Sequence, residues 1–243
     1  MGLYHTLRRW LWKTGVDVTR SSPLTHRMQL IEKYAIDLVL DVGANTGQFA
    51  RQLRQYGYTG RIVSFEPLRA ALLQLQTQAA RDPAWEVWPY ALGDTVTKQS
   101  LNIASNSVSS FFLPMLPTHR EAAPDAPYLG REEVAITTLD TVFAEVRHNA
   151  HHILLKTDTQ GYESQVLAGA VRALTAIDTV QLEMSLVPLY QGEMLFPDLY
   201  QWMIERGYIL VALERSFVHP VSGQVLQVDG IFHRLRPPTG SSI

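Results

Sequence analysis

The sequence predicts an α/β domain: a mostly parallel, seven-stranded sheet with helices on both faces. Three observations predict it. Apolar strand-like runs alternate with helical stretches from Ile36 onward. The first such run ends in a glycine-rich turn that opens a helix. Only a short turn region separates the last two runs, so those two strands should pair antiparallel.

Residues 37–42 are short and mostly apolar, the pattern of a strand buried on both faces, and Gly43 ends them. Residues 47–56 read as a helix with Phe49, Ala50 and Leu53 inward, closed by Gly57 and Gly60. Residues 61–66 form the second strand. Pro67 starts a helix that stops before Asp82-Pro83. Residues 85–91 alternate as a third strand. Residues 94–132 break the rhythm, with Ser105, Asn106, Ser107, Ser109 and Ser110 and then four prolines from Pro114 to Pro127. A long insertion of short strands and loops is expected to be functional, here as an acceptor-binding segment.

The regular pattern then returns. Residues 134–138 read as a short strand, and Asp140 as a cap on the following helix. Residues 153–158 are the fourth core strand, 162–174 a helix and 179–184 the fifth strand. Residues 196–206 are a helix closed by Gly207, and 208–213 and 228–233 are the last two strands. Residues 36–243 therefore read as one domain, preceded by an N-terminal helical extension over residues 1–35. In that extension Leu3, Tyr4, Leu7, Trp10 and Leu11 recur at helical spacing, with Arg8, Arg9 and Lys13 between them. Such a helix packs on a domain or rests peripherally on a membrane surface.

Composition removes several classes of function. The chain is 46% hydrophobic and 18% charged, the balance of a globular protein. A net charge of −2 argues against electrostatic capture of nucleic acid. There is no cysteine, which excludes disulfides, thiolate nucleophiles and Cys-ligated zinc and fits a cytoplasmic location. No apolar run reaches the length of a membrane span.

The strongest chemical signal is Asp41-Val42-Gly43-Ala44-Asn45-Thr46-Gly47-Gln48, a strand, glycine-rich turn and helix start. Gly43 allows a tight bend, and Gly47 removes a Cβ where a ligand comes close. Backbone N–H groups at the helix start suit a carboxylate. Asp41 is placed to meet a cationic amino-acid group. Glu66, followed by Pro67, ends the next strand, where a carboxylate accepts the two hydroxyls of a ribose. After the third strand, Ala91 and Leu92 are placed to flank an adenine, with Asp94 as an acceptor nearby. Together these features describe a Rossmann-like pocket for adenosine linked to an amino acid. A nicotinamide-dependent oxidoreductase is the first rival. Its G-x-G-x-x-G loop fails here, because the second and third glycine positions hold Asn45 and Gln48.

These residues resemble the FkbM-type methyltransferases. The likeness runs through the Asp41–Gly47 turn, Phe65-Glu66-Pro67, Ala91-Leu92-Gly93-Asp94 and Thr138-Leu139-Asp140. It continues in Leu155-Lys156-Thr157-Asp158-Thr159-Gln160-Gly161-Tyr162-Glu163, Val166-Leu167-Ala168-Gly169-Ala170, Leu182-Glu183 and Pro188-Leu189-Tyr190. It spans about residues 36–234, and Thr157 departs from the family's more usual isoleucine. The resemblance implies a class I methyltransferase fold, S-adenosyl-L-methionine as cofactor, and O-methylation of a small-molecule or glycosidic acceptor, on a sugar or natural-product hydroxyl.

Displacement at a sulfonium methyl demands alignment and help in deprotonating the hydroxyl. Asp158 and Glu183 are the catalytic candidates, each at the carboxyl end of a core strand. Three arrangements are open: a Mg²⁺ ion held by both carboxylates with the acceptor oxygen; Asp158 alone as base, tuned by Glu183; or Asp158 on the donor's amino group with Glu183 capping a helix. Asp158 therefore also counts as cofactor-binding. Glu163, in the first turn of a helix, is a secondary candidate. Ser109, Ser110, Phe111 and Tyr190 are candidates for holding the acceptor. His148, His151 and His152 fall at the amino end of a strand, away from the expected site, whereas His119 in the insertion is a candidate base. A non-catalytic S-adenosylmethionine-binding module is the remaining alternative.

Overall fold

The computed structural model describes residues 13–14, 23–104, 110, 112–124 and 128–234. The N-terminal amphipathic segment, apart from Lys13, and the candidates Ser109 and Phe111 lie outside the described residues. The chain divides into two compact units, Met1–Ala35 and Ile36–Ile243. The first contains one helix among the described residues that spans more than a turn, α1 (Pro23–Lys33).

The second unit is the α/β domain. Its strands β1 (Leu38–Val42), β2 (Arg61–Phe65) and β3 (Trp85–Trp88) alternate with α2 (Gln48–Gln55) and α3 (Arg69–Ala79). Then come β4 (Ala91–Leu92), β5 (Thr97–Ala104), α4 (Pro117–Ala122), β6 (Tyr128–Thr137) and α5 (Leu139–Arg147). β7 (Ile153–Thr157), α6 (Glu163–Ala168), β8 (Thr179–Ser185), α7 (Phe196–Glu205), β9 (Tyr208–Arg215) and β10 (Gln227–Arg234) complete it. Seven strands form the main sheet in the order β3-β2-β1-β7-β8-β10-β9. The pairs among β3, β2, β1, β7 and β8 are parallel, and β10 runs antiparallel to both β8 and β9. The sheet is the mostly parallel, Rossmann-like one that the sequence predicts, with its antiparallel final pair.

β1 is buried along its whole length, as a central parallel strand must be. The two-residue period of a strand divides it. Leu38, Leu40 and Val42 join one core with residues of α5, α6 and α7, including Val146, Leu167 and Met203. Asp41 faces the other way, toward the side covered by α2. Strand order reverses at β1, whose neighbours are β2 and β7, so the crevice for a ligand opens at the carboxyl ends of these strands.

Three elements differ from expectation. The third strand stops at Trp88 instead of running to Ala91. Pro89 has no N–H to continue the ladder, and Ala91-Leu92 pair with β6 instead. The helix expected over 162–174 ends at Ala168, and a 3₁₀ turn (Ala173–Ala176) follows. Gly169 caps the helix, and a Cβ there would lie 1.9 Å from the Gly93 carbonyl oxygen. The insertion's short strands were expected, but not their sheet: β5 pairs antiparallel with a ten-residue β6 that runs on through the strand expected at 134–138, and with β4 they give the order β4-β6-β5. Among the described residues, no helix is long and apolar enough to cross a membrane.

Candidate active site

The tips of β1, β2 and β7 surround a cavity of roughly 530 Å³, partly open to solvent. Its walls include Gly43, Asn45, Glu66, Pro67, Ala91, Leu92 and Asp158, all expected from the sequence.

The β1–α2 turn forms one wall. Gly43 (φ +75°) and Asn45 (φ +48°) both lie in the left-handed region. A Cβ on Gly43 would fall 2.1 Å from the Asp158 carbonyl oxygen, so only glycine lets the turn meet the end of β7. The turn uses much of its own N–H capacity. Gly43 and Ala44 both donate to the Phe65 carbonyl, and Gly47 donates to that of Ala44. Ala44, Gly47 and Gln48 do not line the cavity. Gly47, expected to make room for a ligand, instead makes room for the core: its missing Cβ faces the Trp85 ring at 2.8 Å and a Leu75 methyl at 2.9 Å.

Glu66 stands opposite. Its Oε2 accepts the Asn45 N–H and its Oε1 the Leu68 N–H, each at 2.8 Å. Each oxygen keeps a further lone pair, which a ribose hydroxyl can use. Burial chiefly lifts the Glu66 carboxyl to about 7, opposed by those two backbone donors. Beyond it, Leu92, Leu101 and Phe112 make an apolar wall suited to a purine, and Phe112 packs on Tyr162 at 4.7 Å. Leu101 and Ser110 bring the second sheet and its following loop to this same cavity. The described part of the insertion, including the acceptor candidate Ser110, thus walls the same cavity as Glu66. The diol-sized acid, the apolar slot and the partly exposed Asp158 (side chain 36% exposed) fit an adenosine carrying a charged tail.

Asp41 does not reach the cavity. It is closed to solvent, and its Oδ1 lies 3.1 Å from Lys156 Nζ. Register explains this, since Asp41 sits directly between Ser64 of β2 and Lys156 of β7. A buried polar row results: the Trp85 indole donates to Ser64 Oγ, which donates to Asp41 Oδ2, and Lys156 completes it. Burial alone would lower the Lys156 ammonium's pKa, but the carboxylates of Asp41 and Asp158 overturn that and hold it above its ordinary value. Lys156, given no role by sequence reasoning, is thus the cation of the site, 3.5 Å from Asp158 Oδ2.

Asp158 and Glu183 are brought together, as their neighbouring strands imply, but not as a cation site. Between them sits the side chain of Gln160, whose Nε2 donates to Asp158 Oδ1 at 3.0 Å and to Glu183 Oε2 at 2.8 Å. An amide thus occupies the position that Mg²⁺ was expected to take. Among the described residues no group of three or more acidic or histidine side chains is arranged to hold a metal. Glu183 is buried behind the cavity wall and its other oxygen accepts the Ser216 hydroxyl. Burial first, then the charges of Asp158, Glu163 and Asp229, push its carboxyl well above the usual range.

Tyr190, expected at the acceptor, is also buried, with its hydroxyl donated to Gln160 Oε1 at 2.5 Å. Glu163 accepts both the N–H and the hydroxyl of Thr159, tying down the loop after β7, and burial raises its carboxyl to about 7. His119 is buried against the rings of Tyr190 and Phe217, and burial lowers its pKa. It does not line the cavity. His151 and His152 lie at the amino end of β7 as expected, their N–H groups held by Asp37. Gln160 and Lys156 were both inside a recognised motif, but Asp41, Glu183 and Tyr190, which they contact, are remote along the chain.

The model of the methyltransferase FkbM domain matches residues 41–210. A search of curated proteins finds no match. Among solved structures, an rRNA methylase from Streptococcus thermophilus is similar at 10% identity and a TM-score of 0.49, over 90% of this chain and 100% of that one. TehB from Haemophilus influenzae is similar at 8% identity and a TM-score of 0.48, over 94% and 67% of the two chains. A Streptococcus pneumoniae protein solved with S-adenosyl-L-methionine is similar at 11% identity and a TM-score of 0.47, over 88% and 75%.

Proposed function

The chain belongs to the FkbM family of S-adenosylmethionine-dependent methyltransferases, and from that premise we propose that it methylates a hydroxyl of a sugar or natural-product acceptor, with residues 36–243 as the catalytic domain. One observation carries this reading: a single cavity has Glu66 at one side and the partly exposed carboxylate of Asp158 at the other. Glu66 would accept the ribose hydroxyls, and Leu92, Leu101 and Phe112 would enclose the adenine. When bound, the cofactor supplies an electrophilic methyl group on a sulfonium.

Asp158 is the group on the cavity wall fitted to receive a proton from an acceptor hydroxyl. A hydroxyl is a weak nucleophile and profits from a base, which is why a carboxylate here favours oxygen as the methylated atom. Lys156 beside Asp158 anchors it. Glu183, screened from the cavity, serves the site through Gln160 and not by touching the acceptor. The net charge of −2 favours a small acceptor over a nucleic acid.

Incubation with methyl-labelled S-adenosyl-L-methionine and a panel of glycosides and hydroxylated natural products, read by mass spectrometry, tests the reading. Transfer to a hydroxyl, lost by at least about a hundredfold in Asp158→Asn, supports it. Transfer only to nitrogen or to RNA, or full turnover by Asp158→Asn, overturns it.

A further inference from the structure

Gln160 lies in the left-handed region (φ +57°), a conformation that disfavours a residue with a long side chain. Gly161 follows, also left-handed at φ +88°. A Cβ on Gly161 would meet the Tyr190 ring at 2.9 Å, so the glycine lets that ring come against the loop. This contact brings the Tyr190 hydroxyl onto Gln160 Oε1. The turn that carries Tyr190 is itself pinned, since Glu193 accepts the N–H groups of Leu189 and Tyr190.

An amide has one acceptor end and one donor end. With the tyrosine hydroxyl on the oxygen, the NH₂ group must face the two carboxyls. It serves both, one N–H to each. We propose that Gln160 is a positioning residue whose amide, oriented by the Tyr190 hydroxyl, spaces the carboxyls of Asp158 and Glu183 and keeps Asp158 turned toward the cofactor cavity. The proposal rests on the reading of Asp158 as the base. It also explains why Tyr190, although near the site, is not on the cavity wall.

The charges around the pair are Lys156 from β7, Glu163 from α6 and Asp229 from β10, with Glu193 behind Tyr190. In their presence two carboxyls left face to face repel, and one of them holds its proton to higher pH. Two measurements on the whole protein, neither needing an acceptor, test the clamp. In Gln160→Met the carboxyl carbon of Glu183, followed by NMR against pH, titrates about one pH unit higher than in wild type. In Tyr190→Phe the Gln160 side-chain amide protons lose about tenfold of their protection from solvent exchange. The second variant deletes one hydroxyl and keeps the ring, so it decides the matter if Gln160→Met fails to fold. An unmoved Glu183 titration in Gln160→Met, or unmoved protection in Tyr190→Phe, overturns the proposal. Failure of the base role is seen separately, as full turnover by Asp158→Asn with the clamp signals intact.

Discussion

Lys156 and Asp41 face each other across adjacent strands, Nζ 3.1 Å from Oδ1, with side chains 7% and 0% exposed. They form a buried ion pair on the two strands whose ends border the cavity. Removing the cation strands a buried carboxylate, which costs about 3–5 kcal/mol. Lys156→Met should lose stability of that order in urea unfolding, and a loss near zero would show that Asp41 is not held by charge.

Gly47 separates a packing role from a binding role. Alanine there must adopt φ +84° and push its methyl into Trp85 and Leu75. Gly47→Ala should lose about 1–3 kcal/mol of unfolding free energy. Its affinity for S-adenosylhomocysteine, measured by calorimetry on the folded protein, should stay within about twofold of wild type. A selective loss of affinity would return Gly47 to the ligand's side.

Phe112 tests whether the insertion encloses the cofactor. Its ring lines the cavity and leans on Tyr162. Phe112→Ala should weaken S-adenosylhomocysteine binding about tenfold, the usual worth of one aromatic wall against a base. Unchanged affinity would move the adenine away from this wall.

Stability should fall with rising pH between two defined limits. Burial lifts Glu66 and Glu163 from the ordinary 4.5 to about 7 in the folded chain. In that interval the folded state binds more protons than the unfolded one, so unfolding free energy declines as pH rises through it. The decline is about 3 kcal/mol for each group. Urea unfolding at stepped pH measures it. Glu163→Gln should shrink the slope without abolishing it, because the raised carboxyls of Glu66 and Glu183 remain, and an unchanged slope would contradict the assignment.

Much of this was legible in the sequence because it is local. A strand, a glycine turn and a helix start lie within ten residues of Asp41, and Glu66 closes the next strand. What the turn does with its atoms was not legible. A missing Cβ announces closeness without naming the neighbour, so Gly47 read as a ligand contact although Trp85 faces it. Asp41 read as a cofactor contact because Lys156, its partner in strand register, is remote along the chain. The Asp158 and Glu183 pair was readable from strand ends, but the amide between them depends on Tyr190 and a left-handed backbone at Gln160. That the insertion's short strands build a second sheet stayed hidden because half of β5 is exposed and β6 opens with exposed Tyr128 and Leu129 before Arg131-Glu132-Glu133, so neither carries an apolar period.

The central claim is that the cavity at the tips of β1 and β2 holds S-adenosyl-L-methionine by its ribose through Glu66. Calorimetric titration of S-adenosylhomocysteine into wild type and Glu66→Ala, both shown folded by circular dichroism, tests it most directly. The expected result is saturable one-to-one binding in wild type and affinity reduced at least about tenfold in the variant. No binding to the wild-type protein, or equal affinity in the two, would contradict it.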